Sequence, residues 1–346
     1  MRSTKRPLQA ISLLLACLLA VSLIVSCSSP AQTPTPASGK PAEQAKPATS
    51  EPISLKAYTA WPKDSKENQA FWMLEKELKD RGSKITFKYV GGPEAFPVFE
   101  SLEAIRNGAV EIAVTASAYN TAQLPAVLAA KLTPYSPWED REKGVFDLLS
   151  EIYQKANVHY LGRATNKEFK LYTNKEVKSS ADFKGLRMRV TPAYKDFVVA
   201  LGSQPVTTDP GEVYTALERN VVDGYGWPEV WISDFGWQEV TKYAVNPTFF
   251  KVDAIIVMNL DAWKKLPKAE QDLLTEAMKK VEHDVDAYVK QEKAKEEKLM
   301  ADKGVKQITV SDPDKYRQLA YDATWQTVLA QSPDYGPKLK EVMTKK

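Results

Sequence analysis

The run KGLRMRV, residues 184–190, puts Arg187 and Arg189 on one face of a strand-like stretch and Leu186, Met188 and Val190 on the other. A guanidinium presents five N–H donors in a planar fork and can grip a carboxylate with two of them at once. An arginine at the end of a strand could therefore hold an organic anion. The same pattern also suits an exposed strand face, and the pattern alone leaves both readings open. Other chemistry is scarce. The two histidines, His159 and His283, stand 124 positions apart, one in an apolar strand-like run and the other in a charged helical run. Those settings suit packing or solvation. No GxSxG, HExxH, P-loop or GxGxxG occurs. No His/Cys cluster has metal-ligand spacing, and carboxylates concentrate in charged runs such as KQEKAKEEK (290–298), which read as solvated helix faces. The expectation is a binding protein, not an enzyme, with no cofactor and no metal.

The elements that would position Arg189 alternate between strand and helix. Strand-like runs fall at 53–61, 84–90, 110–117, 158–164, 186–190, 204–208, 221–226 and 254–260. Between them lie helical patterns: Phe71, Leu74 and Leu78 ending at Gly82, then 99–105, 193–201 and 211–219. After Pro267, Leu274, Met278, Val281, Val285 and Tyr288 recur at steps of three and four, which predicts a long amphipathic helix ending at Gly304. A last helix is expected over about 313–332. This order implies an α/β class with parallel sheets. Such folds place ligands near the carboxyl ends of strands, where Arg189 falls.

The chain has 346 residues, enough for about two domains. Its net charge of +3 comes from the first 26 residues, which hold Arg2, Lys5 and Arg6 and no acid. The remainder carries 44 basic and 44 acidic side chains, so nothing suggests a nucleic-acid partner. MRSTKR followed by the apolar stretch Ala10–Val25 reads as a signal segment, too short to span a membrane. It ends in Ile24-Val25-Ser26-Cys27, which resembles a bacterial lipoprotein box with Cys27 as the lipidated residue. Cys17 lies inside the signal, so the mature chain has no internal disulfide. Residues 27–50, rich in Ser, Pro, Ala and Thr, read as a flexible tether.

KGLRMRV (184–190), LGSQPV (201–206), GEVYTALERNVVDG (211–224) and WPE (227–229), in that order, resemble the extracytoplasmic solute receptors of TRAP transporters, the DctP-type family. The likeness extends upstream through GAVEIAVTASAY (108–119). It implies a two-domain, periplasmic-binding-protein-like (type II) α/β fold with a ligand cleft between the domains and a long helix spanning both. The expected organisation is a signal over 1–26, a tether over 27–50, domain I over 51–175 and 257–300, domain II over 176–256, and a C-terminal helical segment over 301–346. The resemblance implies a small organic carboxylate as ligand, a permease of one small and one large membrane subunit as partner, and a site outside the cytoplasm, here with lipid anchoring through Cys27. It makes Arg189 the carboxylate clamp, while Arg187 is structural or solvated. Glu212 and Asp223 match the family pattern and read as architectural.

The chain departs from the family's sialic-acid receptors at instructive places. Their second arginine, in the preceding strand, corresponds to Phe169 here, with Arg163 six residues earlier as a residue that could or could not reach the cleft. Their asparagine before the proline after the DG turn is Trp227. Aromatic side chains in place of polar ones favour a hydrophobic or aromatic monocarboxylate, or a branched 2-oxo acid, over a sugar acid. Trp61 and Tyr119 sit on loops where the family's first domain lines the cleft, and each of these aromatics could equally fill the core. Glu229 either faces the cleft or lies on the surface. The competing functional class is a sensory protein that presents the same carboxylate to a membrane signalling receptor.

Overall fold

The computed structural model describes residues 51–345; the signal segment, Cys27 and the tether lie outside the described residues. Apolar residues alternating or running together in short segments build eleven strands: β1 Ile53–Thr59, β2 Ile85–Gly91, β3 Ile112–Thr115, β4 Val158–Arg163, β5 Lys167–Thr173, β6 Arg187–Val190, β7 Gln204–Thr207, β8 Gly224–Pro228, β9 Tyr243–Val252, β10 Ile255–Asn259 and β11 Lys306–Thr309. They form two sheets, ordered β2-β1-β3-β10-β4 and β11-β9-β5-β8-β6-β7. Helices cover both, giving the α/β class expected.

The sheets are mixed, not wholly parallel. β1 runs parallel to β2 and β3, but β10 is antiparallel to both β3 and β4. In the second sheet β5 is antiparallel to β8 and β9, while β6 is parallel to β7 and β8. Two short segments cross between the sheets, after β4 and after β9, and each delivers a strand that runs against its new neighbours; a third passage, after β10, leads to β11. The two crossings are tied together: the backbone N–H groups of Ala164 and Thr165 donate to the Ala254 carbonyl at 2.7 and 3.3 Å, and Ala254 N–H donates to Thr165 Oγ1 at 2.7 Å.

This moves the division between the sheets. Residues 167–173, expected with the first domain, are hydrogen-bonded within the second sheet. Residues 255–256, expected in the second domain, belong to β10 of the first sheet. β5, β9 and β11 were not among the strand-like runs read from the sequence, although the family likeness puts Phe169 in a strand. β5 carries Lys167 and Lys170, both buried against partners, and β9 contains Pro247, a residue that ordinarily argues against a paired strand.

The helix Lys268–Asp302 is the long one expected, at 35 residues. At about 1.5 Å per residue it is roughly 50 Å long and meets both sheets. Glu270 accepts from Ser83 Oγ at 2.5 Å beside β2. Glu282 pairs with Arg141 at 2.6 Å, and Arg141 also donates to Leu161 O in β4. Toward its far end Glu296 accepts from Ser233 N and Oγ, beyond β8. Glu292 and Glu296 lie in the run that reads as solvated, yet both are buried, because each faces a partner across the helix contact. The two histidines are packing residues: His159 stacks on Trp263 and His283 on Trp138. Burial holds His159 down at about 4.

Replacing Glu282 by leucine leaves the Arg141 guanidinium without its carboxylate. The expected loss is on the order of 3 kcal/mol in urea unfolding, with the slope against urea unchanged.

Candidate functional site

Arg189 sits on β6, an interior strand flanked by β7 and β8, and is 0% exposed. Its Nε and Nη2 donate to the Thr208 carbonyl at 3.1 and 2.8 Å. Nη1 makes a long contact to the Tyr194 hydroxyl at 3.5 Å, so three of the five N–H groups are used and one hydrogen on each of Nη1 and Nη2 is left over. Tyr194 fixes the strand end: its hydroxyl donates to Arg189 O at 2.6 Å and accepts from Gly226 N–H at 2.9 Å. Gly226 allows this close approach, because a Cβ there would stand 2.7 Å from both the Tyr194 and Phe169 rings. Arg187, one turn of the pleat earlier, does something else. Its Nε and Nη2 both lie 3.1 Å from Asp223, whose carboxyl is held well below its usual range chiefly by that pair.

The free edge of Arg189 belongs to a cavity of about 50 Å³ between the two sheets. It lies at the carboxyl ends of β1, β3, β6 and β8. Five residues singled out from the sequence meet in its wall: Trp61, Tyr119, Phe169, Arg189 and Trp227. Each aromatic is braced by others. Phe169 lies 5.1 Å from Tyr194 and 5.7 Å from Phe249, Trp227 lies 4.7 Å from Trp237, and Tyr119 touches both Trp61 and Phe99.

Two other expected residues are elsewhere. Arg163 is saturated by protein groups: Asp140 at 2.6 Å, Asn166 Oδ1 at 2.7 Å and Tyr135 O at 2.7 Å. It holds the end of β4 and does not line the cavity. Glu229 points away from the cavity, pairing with Lys170 at 3.5 Å and with Lys293 of the long helix. Strand alternation would bring residue 229 to the face of Trp227, but β8 ends at Pro228 and Glu229 lies beyond it.

Sequence reasoning missed four charged groups in the same wall. Lys167 and Glu67 form a buried ion pair, with the Lys167 ammonium 4.7 Å above the Trp231 ring. Burial raises the Glu67 carboxyl, against the opposing pull of Lys167. Lys131 comes from the segment Pro125–Leu132, donates to Ala193 O and lies 4.6 Å over the Phe250 ring. No carboxylate lies within ion-pairing distance of it among the described residues. Burial lowers it to about 7, against the weaker influence of Asp196 and Asp253. A lone lysine in the apolar run LPAVLAAKLTP was the available signal; Glu67 and Lys167, in ordinary charged stretches, gave none. Asp253 also lines the cavity from the second crossing, its Oδ1 accepting from Ser117 N–H at 3.1 Å. Among the described residues no His/Cys/Asp/Glu group could hold a metal ion, and no helix is long and apolar enough to cross a membrane.

Two mixed sheets, joined by paired crossings and a shared helix around a small buried cationic cavity, define a two-domain solute-binding protein of the type II kind. The chain belongs to family 7 of the bacterial extracellular solute-binding proteins, the DctP family, whose family model matches residues 57–329. Its relatives include the monocarboxylate 2-oxoacid-binding periplasmic protein of Nostoc, 26% identical over 232 residues, or 63% of each chain. Another is the sialic acid-binding periplasmic protein of Vibrio cholerae, 30% identical over 177 residues, or 51% of this chain and 53% of that one. The chain thus spans about half the length of the curated relatives it matches. A TRAP periplasmic solute-binding protein from Desulfovibrio salexigens, solved with orotic acid, superposes with a TM-score of 0.77 at 22% identity, covering 84% of this chain and 97% of that one.

Lys131 makes ligand-free stability depend on pH. Its folded value is lowered, so between about 7 and the unfolded value the unfolded chain binds the extra proton and stability rises with pH; it is lost as pH falls through about 7. Lys131→Met should raise the melting temperature of the ligand-free protein at pH 7, by a stability increment on the order of a few kcal/mol, and flatten its rise between pH 7 and 10.

Proposed function

We propose that the protein is the extracytoplasmic solute receptor of a TRAP transporter, anchored by lipid on Cys27. It binds a small organic monocarboxylate and delivers it to a permease of one small and one large membrane subunit. The observation that carries this reading is the Arg189 fork: a guanidinium wholly out of water, with its outer edge at a cavity and no protein carboxylate on it. A buried cation in that state calls for an anion, and a carboxylate fits the fork.

Charge supports a single carboxylate. The wall holds Arg189, Lys131 and Lys167 against Glu67 and Asp253, which leaves one positive charge when Lys131 is protonated, the form an arriving anion favours. Size and surface support a compact acid with an apolar body. One water needs about 10–15 Å³ by this kind of measure, so a cavity of about 50 Å³ suits a few heavy atoms. Phe169 and Trp227 would pack against the body, with Trp61 and Tyr119 closing the opposite side. These features favour short or branched monocarboxylates, 2-oxo acids among them, over a polyhydroxylated sugar acid. The Nostoc relative's name points the same way.

Thermal melting against a library of organic acids tests the reading. A ligand at 100 times its dissociation constant adds about 2.7 kcal/mol. Short monocarboxylates should raise the melting temperature and sialic acid should not. Arg189→Ala should weaken binding by about 100-fold or more, and Glu229→Gln should leave it unchanged. Equal affinity in the Arg189→Ala protein would refute the clamp.

A further inference from the structure

Lys131 is buried in the cavity wall, and its Nζ has one hydrogen-bond partner among the described residues, the carbonyl of Ala193, which lines the same cavity. Two further hydrogens of an ammonium there have no protein acceptor. Burial without a counter-charge favours the neutral amine. The acids that influence it, Asp196 and Asp253, both lie beyond ion-pairing distance, and Asp253 accepts from Ser117 N–H. Glu67 is committed to Lys167, and Arg189 and Lys167 add like charge to the wall. Lys251 of β9 donates to Pro134 O. Tyr119, Tyr153 and Tyr321, on elements packed against the Lys131 segment, are phenols raised by burial and stay neutral. The charged groups of the packed helices Val145–Gln154, Pro313–Gln331 and Gly336–Thr344 are exposed. No histidine is in the wall.

We infer that Lys131 is a second cationic group for the ligand carboxylate and that binding creates its charge, so that each monocarboxylate enters the receptor together with one proton, taken from solvent onto Nζ. The inference rests on the receptor reading above and deepens it. Charge balances on both sides of the step. With Lys131 neutral, Arg189 and Lys167 stand against Glu67 and Asp253 and the wall has no net charge. The carboxylate adds one negative charge and the proton one positive. A cavity of about 50 Å³ holds a few heavy atoms, so a carboxylate on Arg189 shares one compartment with Lys131 and little water screens the two. An opposite charge within about 4–6 Å favours the protonated amine. The ligand-free amine, lowered to about 7 by burial, makes this change in the neutral range. Because binding takes up a proton, affinity falls as pH rises through that range.

The test is titration calorimetry of the purified full chain with propionate, pyruvate and 2-oxoisovalerate, all ionised from pH 6 to 9. Each titration is repeated in phosphate and in Tris, whose different ionisation heats reveal the protons exchanged. Wild-type protein should take up most of one proton per ligand at pH 8, about half of one at pH 7 and little at pH 6. Its dissociation constant should rise by about tenfold or more between pH 6 and 9. Lys131→Met should bind about tenfold more weakly at pH 6, take up no proton, and show an affinity independent of pH. Binding by the wild-type protein with no uptake at any pH overturns the inference while the receptor reading stands, and this result does not depend on the variant folding. Uptake that survives in Lys131→Met overturns the assignment to Lys131 and moves it to a buried carboxyl, Asp253 or Glu67. No heat with any of the three acids overturns the monocarboxylate reading, and this inference with it.

Discussion

An arginine taken out of water needs an acceptor for every hydrogen of its fork, and Arg189 finds protein acceptors for three of its five, at the Thr208 carbonyl and, at longer range, the Tyr194 hydroxyl. Much of the surrounding structure follows from supporting that half-satisfied cation. β6 must be an interior strand, so that neighbours on both sides exclude solvent. Thr208 must turn its carbonyl back toward the fork. Tyr194 must tie the strand end to β8, which it can do only because position 226 has no side chain. The second sheet thus presents a rigid donor edge, and the first sheet closes over it with Trp61, Tyr119 and Lys131.

Lys131 and the Lys167–Glu67 pair show two ways of burying charge in one cavity. The pair is self-neutralising, and its aromatic surroundings add cation–π stabilisation to the ammonium. Lys131 has only a carbonyl and the Phe250 face, and so its proton is weakly held. The first device holds a geometry whatever occupies the cavity. The second responds to an arriving anion, which favours the protonated form.

How far the sequence carried can be judged residue by residue. The alternation in KGLRMRV located β6 and its cationic end, and the three-and-four spacing after Pro267 located the long helix almost to the residue. Among the cavity aromatics, Phe169 and Trp227 were found through departures from a family pattern and Trp61 and Tyr119 through their place on its cleft loops, not from their own periodicity. The charged strand β5 was invisible because Lys167 and Lys170 are neutralised by partners about 60 to 100 positions away, information that no local window holds. Arg163 and Glu229 stayed open in the sequence for the same reason. Each is a strong polar group near the site in sequence, and each is consumed by a distant partner: Asp140 for one and Lys293 for the other. Glu67 had no local signal, since its partner is 100 residues ahead.

The paired crossings and the shared helix also set the kinematics of the molecule. A rod roughly 50 Å long, bonded near β2 at one end and beyond β8 at the other, resists stretching and fixes the spacing between the two sheets. The crossings at 164–166 and 253–254 are short, adjacent and hydrogen-bonded to each other, so they act as two pins on one line. Bodies joined in this way lose sliding and separation as low-energy motions. What remains soft is a single angle about the pinned line, and the volume around Arg189 becomes a function of that one coordinate.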